Sequence, residues 1–305
     1  MAAIAVVVHH QAVIDFVRGR LYAPTTAVAE IRENLALTAY GEFIFDASRP
    51  ELNSEKDFNA NCVSDSEDEA ALGCYRGQKI YVYEVQSEEL AGILELTAAH
   101  ELLHAVYERM SDGEKEIVGG LLKEVYRQYH EVLAAEIEAY DVEEQAEELY
   151  VRAGTEIKEL PEELEKHYAK IFADQDKVVG FYESYIGVFR GLEAELKSLE
   201  AEMTELKEQI DAKSLEYQNG AKDLGAQIEV FNNCASQVGC FQRSEDFNAR
   251  RNELLARQAE MRGLYDEIDG LINQYNMVVE KYNQNVVRSQ NLQDLINSHV
   301  VVEGL

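Results

Sequence analysis

The sequence is poor in proline, tryptophan and basic residues. Its 305 residues include three prolines and no tryptophan, and 28 Lys and Arg stand against 58 Asp and Glu, a formal net charge of −30. A chain this acidic repels phosphate backbones and anionic lipid surfaces, so we expect no nucleic-acid partner and no membrane binding through basic patches. Scarce proline together with abundant Glu, Leu, Ala and Gln favours long helices, and we expect a mainly helical protein.

No basic segment accompanies the apolar run at residues 1–8. The run is too short to cross a bilayer and lacks the charged start of a signal peptide. It fits either the end of a truncated N-terminal membrane anchor or the start of an ordinary strand or helix. The residues themselves leave both interpretations open.

The sequence His100-Glu101-Leu102-Leu103-His104 contains the pattern HExxH. Histidines four residues apart share one face of a helix, which suits two ligands of one tetrahedral Zn²⁺. Glu101 follows the first histidine, where its carboxylate reaches a water bound to the zinc and acts as general base. The alternative is an amphipathic helix with two exposed histidines.

The residues before this motif predict a strand and the start of a helix. Residues 79–85 alternate β-branched and aromatic side chains, as a short strand does. Ser87 is a good N-cap for a helix over residues 88–110. A strand followed by a helix that carries HExxH resembles the core of zincin peptidases, in which the strand edge holds an extended substrate.

The first third of the chain predicts further small elements. Residues 12–18 read as helical, and a second helix opens at Thr25 and closes at residues 38–41. Residues 43–45 are a candidate strand, and residues 48–61 are rich in Asn, Ser and Asp and predict a loop. We expect these elements to pack beside the strand at residues 79–85.

Four cysteines fall in two local pairs, Cys62 with Cys74 and Cys234 with Cys240. Neither pair has the C-x-x-C spacing of a zinc ribbon or a redox motif, and each brackets a stretch that resembles a loop. Two local disulfides are the economical interpretation, although four cysteines allow three pairings. Disulfides imply an oxidising, extracytoplasmic compartment; four reduced thiols in a cytosolic protein are the alternative.

The third zinc ligand is expected after the motif helix. Ser111 and Glu114 form a capping box, which starts a long helix with apolar residues from 118 to 137 at helical spacing. Because no further histidine stands at the short spacing that metzincins use, a glutamate is the expected ligand. We favour Glu148, next to a buried Leu149 and a helix end at Gly154, and Glu144 and Glu147 stay open as alternatives.

Residues 40–172 resemble a group of bacterial, membrane-anchored, gluzincin-like predicted metallopeptidases whose substrates are uncharacterised. The matching segments are Ser48-Arg49-Pro50-Glu51-Leu52, Gly73-Cys74-Tyr75, Ile80-Tyr81-Val82-Tyr83, Thr97 to Ala105, Gly154-Thr155-Glu156, Leu160 to Glu165 and His167-Tyr168.

This resemblance implies an anchored extracytoplasmic enzyme and bears on two positions of the site. The group usually carries Asn-Glu-Leu-His-Ser before Gly-Thr, so its glutamate falls on Glu148. Its histidine position is occupied by Tyr150 here. A tyrosine at this place is expected to donate a hydrogen bond to a developing oxyanion.

The last third of the chain predicts a coiled coil. One heptad seam consists of Leu192, Leu196, Leu199, Met203, Leu206 and Ile210. A second consists of Met261, Tyr265, Ile268, Ile272, Tyr275, Val279, Tyr282 and Val286. Two seams on either side of a short Cys-bounded loop predict an antiparallel helical hairpin whose arms reach roughly 80 Å at 1.5 Å per residue.

The expected architecture is α+β and mainly helical. A small zincin-like metallopeptidase core at residues 1–175 is followed by a long antiparallel coiled-coil hairpin at residues 176–305. The hairpin fits a spacer, an interface with a second copy of the chain or with a protein partner, or an arm that captures substrate.

Two functions from different classes follow. The first is a zinc-dependent peptidase of the cell envelope or the cell exterior, in which His100, His104 and Glu148 hold Zn²⁺ and Glu101 acts as base on a peptide or protein substrate. The second is a zinc-stabilised scaffold with little or no turnover that acts through its coiled coil. The presence of Glu101 favours the enzyme, because a scaffold has no need of it.

Overall fold

The computed structural model describes residues 2–62, 72–142 and 144–297. The chain divides into two compact units, one made of residues 1–190 and 291–305 and the other of residues 191–290. The described residues are mainly helical with one small sheet, which confirms the α+β, mainly helical expectation.

The sheet of the first unit has the order β1-β3-β2, with strands β1 (Glu51–Asn53), β2 (Gly73–Arg76) and β3 (Lys79–Tyr83). Strand β1 pairs parallel to β3, and β2 pairs antiparallel to it. The predicted strand at residues 79–85 is confirmed as β3, because Ile80 and Val82 alternate into the core with 0% and 2% exposure. The predicted Cys62–Cys74 disulfide joins the start of β2 to the preceding helix. The segment between these cysteines, residues 63–71, lies outside the described residues.

The described part of the first unit contains a series of helices, one of which carries HExxH. They are α1 (Ala2–Leu21), α2 (Thr26–Asn34), α3 (Ala39–Ala47), α4 (Glu55–Asn61), α5 (Ile93–Arg109), α6 (Asp112–Gln128), α7 (His130–Ile137), α8 (Gln145–Glu156) and α9 (Glu162–Tyr168). Helix α5 contacts the helices α2, α3 and α8 and the strands β2 and β3. Its buried residues, such as Leu102 and Leu103 at 0% exposure, form the centre of one continuous apolar core.

Two predictions in the first third are wrong. Residues 43–45 lie in α3 and not in a strand, and residues 38–41 start that helix instead of closing α2. The Thr38 hydroxyl accepts a hydrogen bond from the Gly41 N–H at 3.1 Å, which is the capping contact that begins a helix. A run of three apolar residues is too short to show whether the period is that of a strand or of a helix. The helix cap at Thr38 therefore determines that these residues are helical.

The predicted loop at residues 48–61 is also wrong, because it contains β1 and α4. The Ser54 hydroxyl accepts from the Asp57 N–H and caps α4, and Phe58 is fully buried beneath it. The polar residues that suggested a loop are here cap residues of a short helix.

The start of α5 and the extent of the next predicted helix differ from expectation. Helix α5 begins at Ile93 and not at residue 88, because Gly92 takes a left-handed backbone with φ of 92°. A side chain at Gly92 would lie 2.8 Å from the Phe181 ring, so only glycine fits this approach. The helix predicted over residues 112–137 is broken at Tyr129 into α6 and α7, although the Ser111–Glu114 capping box is confirmed.

Gly154 does not end α8, which continues to Glu156. A Cβ atom at this position would lie 2.5 Å from Leu103 on α5 and 2.6 Å from Tyr168 on α9. The glycine therefore permits close packing of three helices, a role that a sequence pattern does not separate from a helix stop.

The second unit contains residues 191–235 of α10 (Gln175–Ala235) and residues 244–290 of α11 (Ser244–Ile296), which form a hairpin; the remaining residues of both helices belong to the first unit. The predicted Cys234–Cys240 disulfide closes the turn. The two arms are antiparallel, because residues later in α10 contact residues earlier in α11. The contacts are Glu200 with Tyr282, Lys213 with Glu267 and Asp223 with Arg257.

The seam of α10 is confirmed, with Leu192, Leu199 and Leu206 buried at 4–8% exposure. The seam of α11 is half wrong. Ile268, Tyr275 and Tyr282 face inward, but their partners at the alternate positions are Leu264, Leu271 and Val278. Tyr265 and Ile272 are 56% and 40% exposed. Steps of three and four residues both fit a helix face, so either frame satisfied the pattern.

None of the helices in the described ranges is long and apolar enough to cross a membrane.

Candidate metal centre

Helix α5 places two imidazole rings side by side. His100 and His104 lie one turn apart, and their ring centroids are 5.1 Å apart. Both are about one-fifth exposed, at the surface of a helix whose Ala98, Ala99 and Ala105 are buried. The rings therefore stand at the rim of the core and are partly in contact with solvent.

Helix α8 brings a carboxylate to this pair. Glu148 has 2% side-chain exposure, with Oε1 3.8 Å from His100 Nε2 and Oε2 3.6 Å from His104 Nε2. The three residues offer ligand atoms that all lie within 4.8 Å of one another. Ligands bound tetrahedrally at about 2.0–2.2 Å lie roughly 3.3–3.6 Å apart, so this group fits Zn²⁺ after small adjustments. Two imidazoles and a carboxylate are also a known donor set of catalytic zinc.

Glu147 orients one of the rings. Its Oε1 lies 2.8 Å from Nδ1 of His104. When Nδ1 carries the proton and donates it to this carboxylate, Nε2 presents a lone pair toward Glu148, as a metal ligand requires. Glu147 thus contacts a ligand instead of joining the ligand group, and Glu144 is exposed at the N-cap position of α8.

The protonation of the histidines follows from their surroundings. Burial, with the nearby His104 and Arg152, holds the pKa of His100 well below its usual value, so His100 is neutral and ready to bind a metal. Burial also lowers the pKa of His104, but the hydrogen bond to Glu147 and the charges of Glu101 and Glu148 outweigh it and raise that pKa.

Glu101 occupies the side of α5 that faces the sheet. Glu101 is 5% exposed. Burial raises its pKa to about 7; the charge of His104 lowers this pKa, and the charges of Glu148 and Glu147 raise it further. The first residue of β2, Gly73, passes so close that a Cβ atom there would lie 2.6 Å from Glu101 Oε1. A carboxylate that titrates near neutrality beside a strand edge is suited to take and return protons.

Arg152 contacts Glu148 and two further carboxylates. Its Nε donates to Glu148 Oε1 at 2.6 Å, and its Nη1 donates to Glu156 Oε1 at 3.0 Å and to Glu136. Sequence reasoning missed both Arg152 and the ring contact of Glu147. The repeat of Glu148, Arg152 and Glu156 at four-residue steps was the available signal.

Tyr150 is packed among other aromatic side chains. It is fully buried, its ring packs against Tyr107 and Tyr168, and its hydroxyl lies 3.1 Å from His167 Nε2. Burial and the neighbouring tyrosines raise its pKa well above the usual value, so the phenol keeps its proton. Its role as an oxyanion donor stays a prediction.

Comparisons with protein-family models, curated proteins and solved structures found no significant match for this chain. Evidence about the function therefore comes from the arrangement of the described residues. That arrangement is a group of His100, His104 and Glu148 that is able to hold a metal ion. The two disulfides point to an oxidising environment.

Proposed function

We propose that this chain is a zinc-dependent peptidase that hydrolyses peptide bonds in the cell envelope or outside the cell. The observation that carries the proposal is the position of Glu101. A carboxylate with 5% exposure lies one residue from His100, beside two histidines and a glutamate with metal-ligand spacing. A metal site that served only to stabilise the fold has no need of a buried ionisable group in this place.

The residues have separate roles in the proposed hydrolysis. His100, His104 and Glu148 hold the zinc. When bound, Zn²⁺ supplies Lewis acidity, which lowers the pKa of water and polarises the scissile carbonyl. Glu101 accepts the proton of the attacking water and later delivers it to the leaving amine.

The sheet offers a place for the substrate backbone. Within the described ranges, β2 pairs with β3 on one side only, and its first residue touches Glu101. An extended peptide added to the outer edge of β2 would gain main-chain hydrogen bonds and run past the general base. A peptide or an unfolded protein segment is therefore the substrate class that we propose.

The proposed compartment follows from the disulfides Cys62–Cys74 and Cys234–Cys240, which persist in oxidising surroundings outside the cytoplasm. Attachment to a membrane stays a prediction.

A second candidate is a zinc-stabilised scaffold that acts through its hairpin. One observation favours it: α11 carries exposed apolar side chains outside its inner seam, among them Tyr265, Ile272 and Met277. Such side chains suit a surface that binds a partner helix or a second copy of the chain.

The substitution Glu101→Gln separates the two candidates. The amide keeps the shape of the side chain but accepts no proton from water, so we expect zinc content to be unchanged and hydrolysis to fall by about 10²–10⁴-fold. Zinc is measured by atomic spectroscopy, and cleavage by mass spectrometry of new N-termini in a mixture of unstructured proteins.

The matched control is Glu95→Gln, a glutamate of the same helix that bonds to Asn34 at 2.8 Å. It should cleave like the wild type. Equal cleavage by wild type and Glu101→Gln would show that Glu101 is not the base. A zinc-loaded wild type that cleaves nothing would favour the scaffold.

A further inference from the structure

The guanidinium of Arg152 is the centre of a small ionic cluster behind the metal group. Arg152 lies on α8 one turn after Glu148, and its side chain is 18% exposed. Its carboxylate partners are buried to different degrees. The side chain of Glu148 is 2% exposed, that of Glu156 is 8% exposed and that of Glu136 is 47% exposed. A buried carboxylate such as Glu148 is costly without a partner of opposite charge, and Arg152 is that partner.

The contact with Arg152 makes the two carboxylate oxygens of Glu148 different from each other. Arg152 Nε donates to Oε1 at 2.6 Å, a short charge-assisted hydrogen bond. Oε1 also lies 3.8 Å from His100 Nε2, but it is occupied by the arginine, whereas Oε2 lies 3.6 Å from His104 Nε2. The arginine therefore fixes the rotation of the carboxylate and turns one defined oxygen toward His104.

The arginine is itself held from two further sides. Its Nη1 donates to Glu156 on its own helix and to Glu136 on α7. A planar guanidinium with several fixed partners loses little freedom when it holds Glu148. The cluster thus ties the position of a metal ligand to the packing of α7 against α8.

We propose that Arg152 is a positioning residue of the metal centre, which makes Glu148 a single-oxygen ligand through Oε2. This inference rests on the proposed function, because it requires that His100, His104 and Glu148 hold the metal. Outer contacts of this kind orient metal ligands, and their loss typically weakens metal binding by about 10–100-fold.

The test compares the full chain with Arg152→Gln, Arg152→Lys and the control Arg32→Gln. Arg32 forms a partly exposed ion pair with Asp46 in the same unit at 2.9 Å and tests for a general effect of arginine loss. Zinc affinity is measured by competition with a chromogenic chelator, and the ligand field by the visible absorption of the Co²⁺-substituted protein.

We expect Arg152→Gln to weaken zinc binding about 10–100-fold and to alter the Co²⁺ spectrum. Arg152→Lys should recover part of the affinity, because it keeps the charge but loses the planar fork. Arg32→Gln should match the wild type in both measurements.

If the wild type binds no zinc, the proposed function itself is wrong. If the wild type binds zinc and Arg152→Gln binds it equally well or more tightly, with an unchanged spectrum, the metal centre stands and the positioning role of Arg152 is wrong.

Should Arg152→Gln fail to fold by circular dichroism, Glu136→Gln provides the second variant. It removes one anchor of the arginine and leaves Glu148 paired. A smaller but measurable loss of zinc affinity is the expected result, and wild-type affinity would contradict the proposal.

Discussion

At the scale of single residues, two neighbouring glutamates of α8 have different roles. Glu148 points at the histidine pair and is 2% exposed, whereas Glu147 is 36% exposed and contacts the outer nitrogen of His104. Consecutive residues of a helix point about 100° apart, because the helix has 3.6 residues per turn. Only one of the two carboxylates is thus able to join the ligand group, and the other supports the ring from outside.

This division predicts different effects of two substitutions. Glu148→Gln removes a charged ligand, so we expect it to abolish stoichiometric zinc binding. Glu147→Gln leaves three ligands and loses one charge-assisted contact, so we expect zinc affinity to fall about 10–100-fold with one zinc still bound at saturation. Equilibrium dialysis with zinc analysis measures both values.

Glu144→Gln serves as the control, because Glu144 is exposed at the N-cap position of α8. The assignment of Glu148 as ligand would be wrong if Glu148→Gln bound zinc at full stoichiometry while Glu147→Gln did not.

At the scale of elements, the site depends on how closely β2 approaches α5. Gly73 opens β2, and a Cβ atom there would lie 2.6 Å from both Thr97 Cγ2 and Glu101 Oε1. The Cys62–Cys74 disulfide fixes the next residue of the strand. Glycine is therefore required at residue 73 for a strand edge to lie directly against the general base.

Gly73→Ala should displace Glu101 while leaving the metal ligands in place. A shift of about 1 Å in a catalytic group can cost about 10²-fold in rate, so we expect a large fall in hydrolysis with unchanged zinc content. The added methyl group should also destabilise the fold by about 1–3 kcal/mol. Peptide cleavage, zinc analysis and urea unfolding test these expectations.

Gly120→Ala on α6 is the control, since a Cβ atom at that exposed position would meet no side chain or other element of the described residues within 4 Å. It should raise the free energy of unfolding by about 1 kcal/mol and leave hydrolysis unchanged. Full activity of Gly73→Ala would mean that the approach of β2 to Glu101 does not matter for catalysis.

At the scale of the whole molecule, the metal group and the hairpin seam belong to different compact units. His100, His104 and Glu148 lie in the unit of residues 1–190 and 291–305, and the seam around Leu206 and Val278 lies in the unit of residues 191–290. A ligand stabilises the structure to which it binds, by about 4 kcal/mol at a free concentration a thousand times its dissociation constant. Removal of the metal should therefore affect the two units unequally.

We expect chelation of zinc to lower the hydrogen-exchange protection of α5 and α8 and to leave the paired stretches of α10 and α11 within residues 191–290 unchanged. Exchange measured by mass spectrometry on zinc-loaded and chelator-treated protein tests this. His100→Ala, which lacks a ligand, should show no change on chelation. Equal loss of protection in both units would contradict the separation.

The sequence by itself determined the features that depend on residues close together in the chain. The spacing of His100 and His104 fixes a shared helix face, the Ser111 capping box starts α6, and Cys234 and Cys240 are near enough to pair across a turn. The heptads likewise determined an antiparallel hairpin. In each case the geometry follows from local backbone periods and reach.

Only the tertiary structure decided which of two locally equivalent patterns applies. The local periodicity of α11 fits Leu264 and Tyr265 equally, but in the folded chain Leu264 is 8% exposed and Tyr265 is 56% exposed. From the sequence, Gly154 indicates the end of a helix; in the structure it instead leaves room for Leu103 and Tyr168, which pack against it. The choice of Glu148 over Glu147, and the role of Arg152, depend in the same way on packing between distant segments, because burial and charge pairing across more than one helix have no local signature.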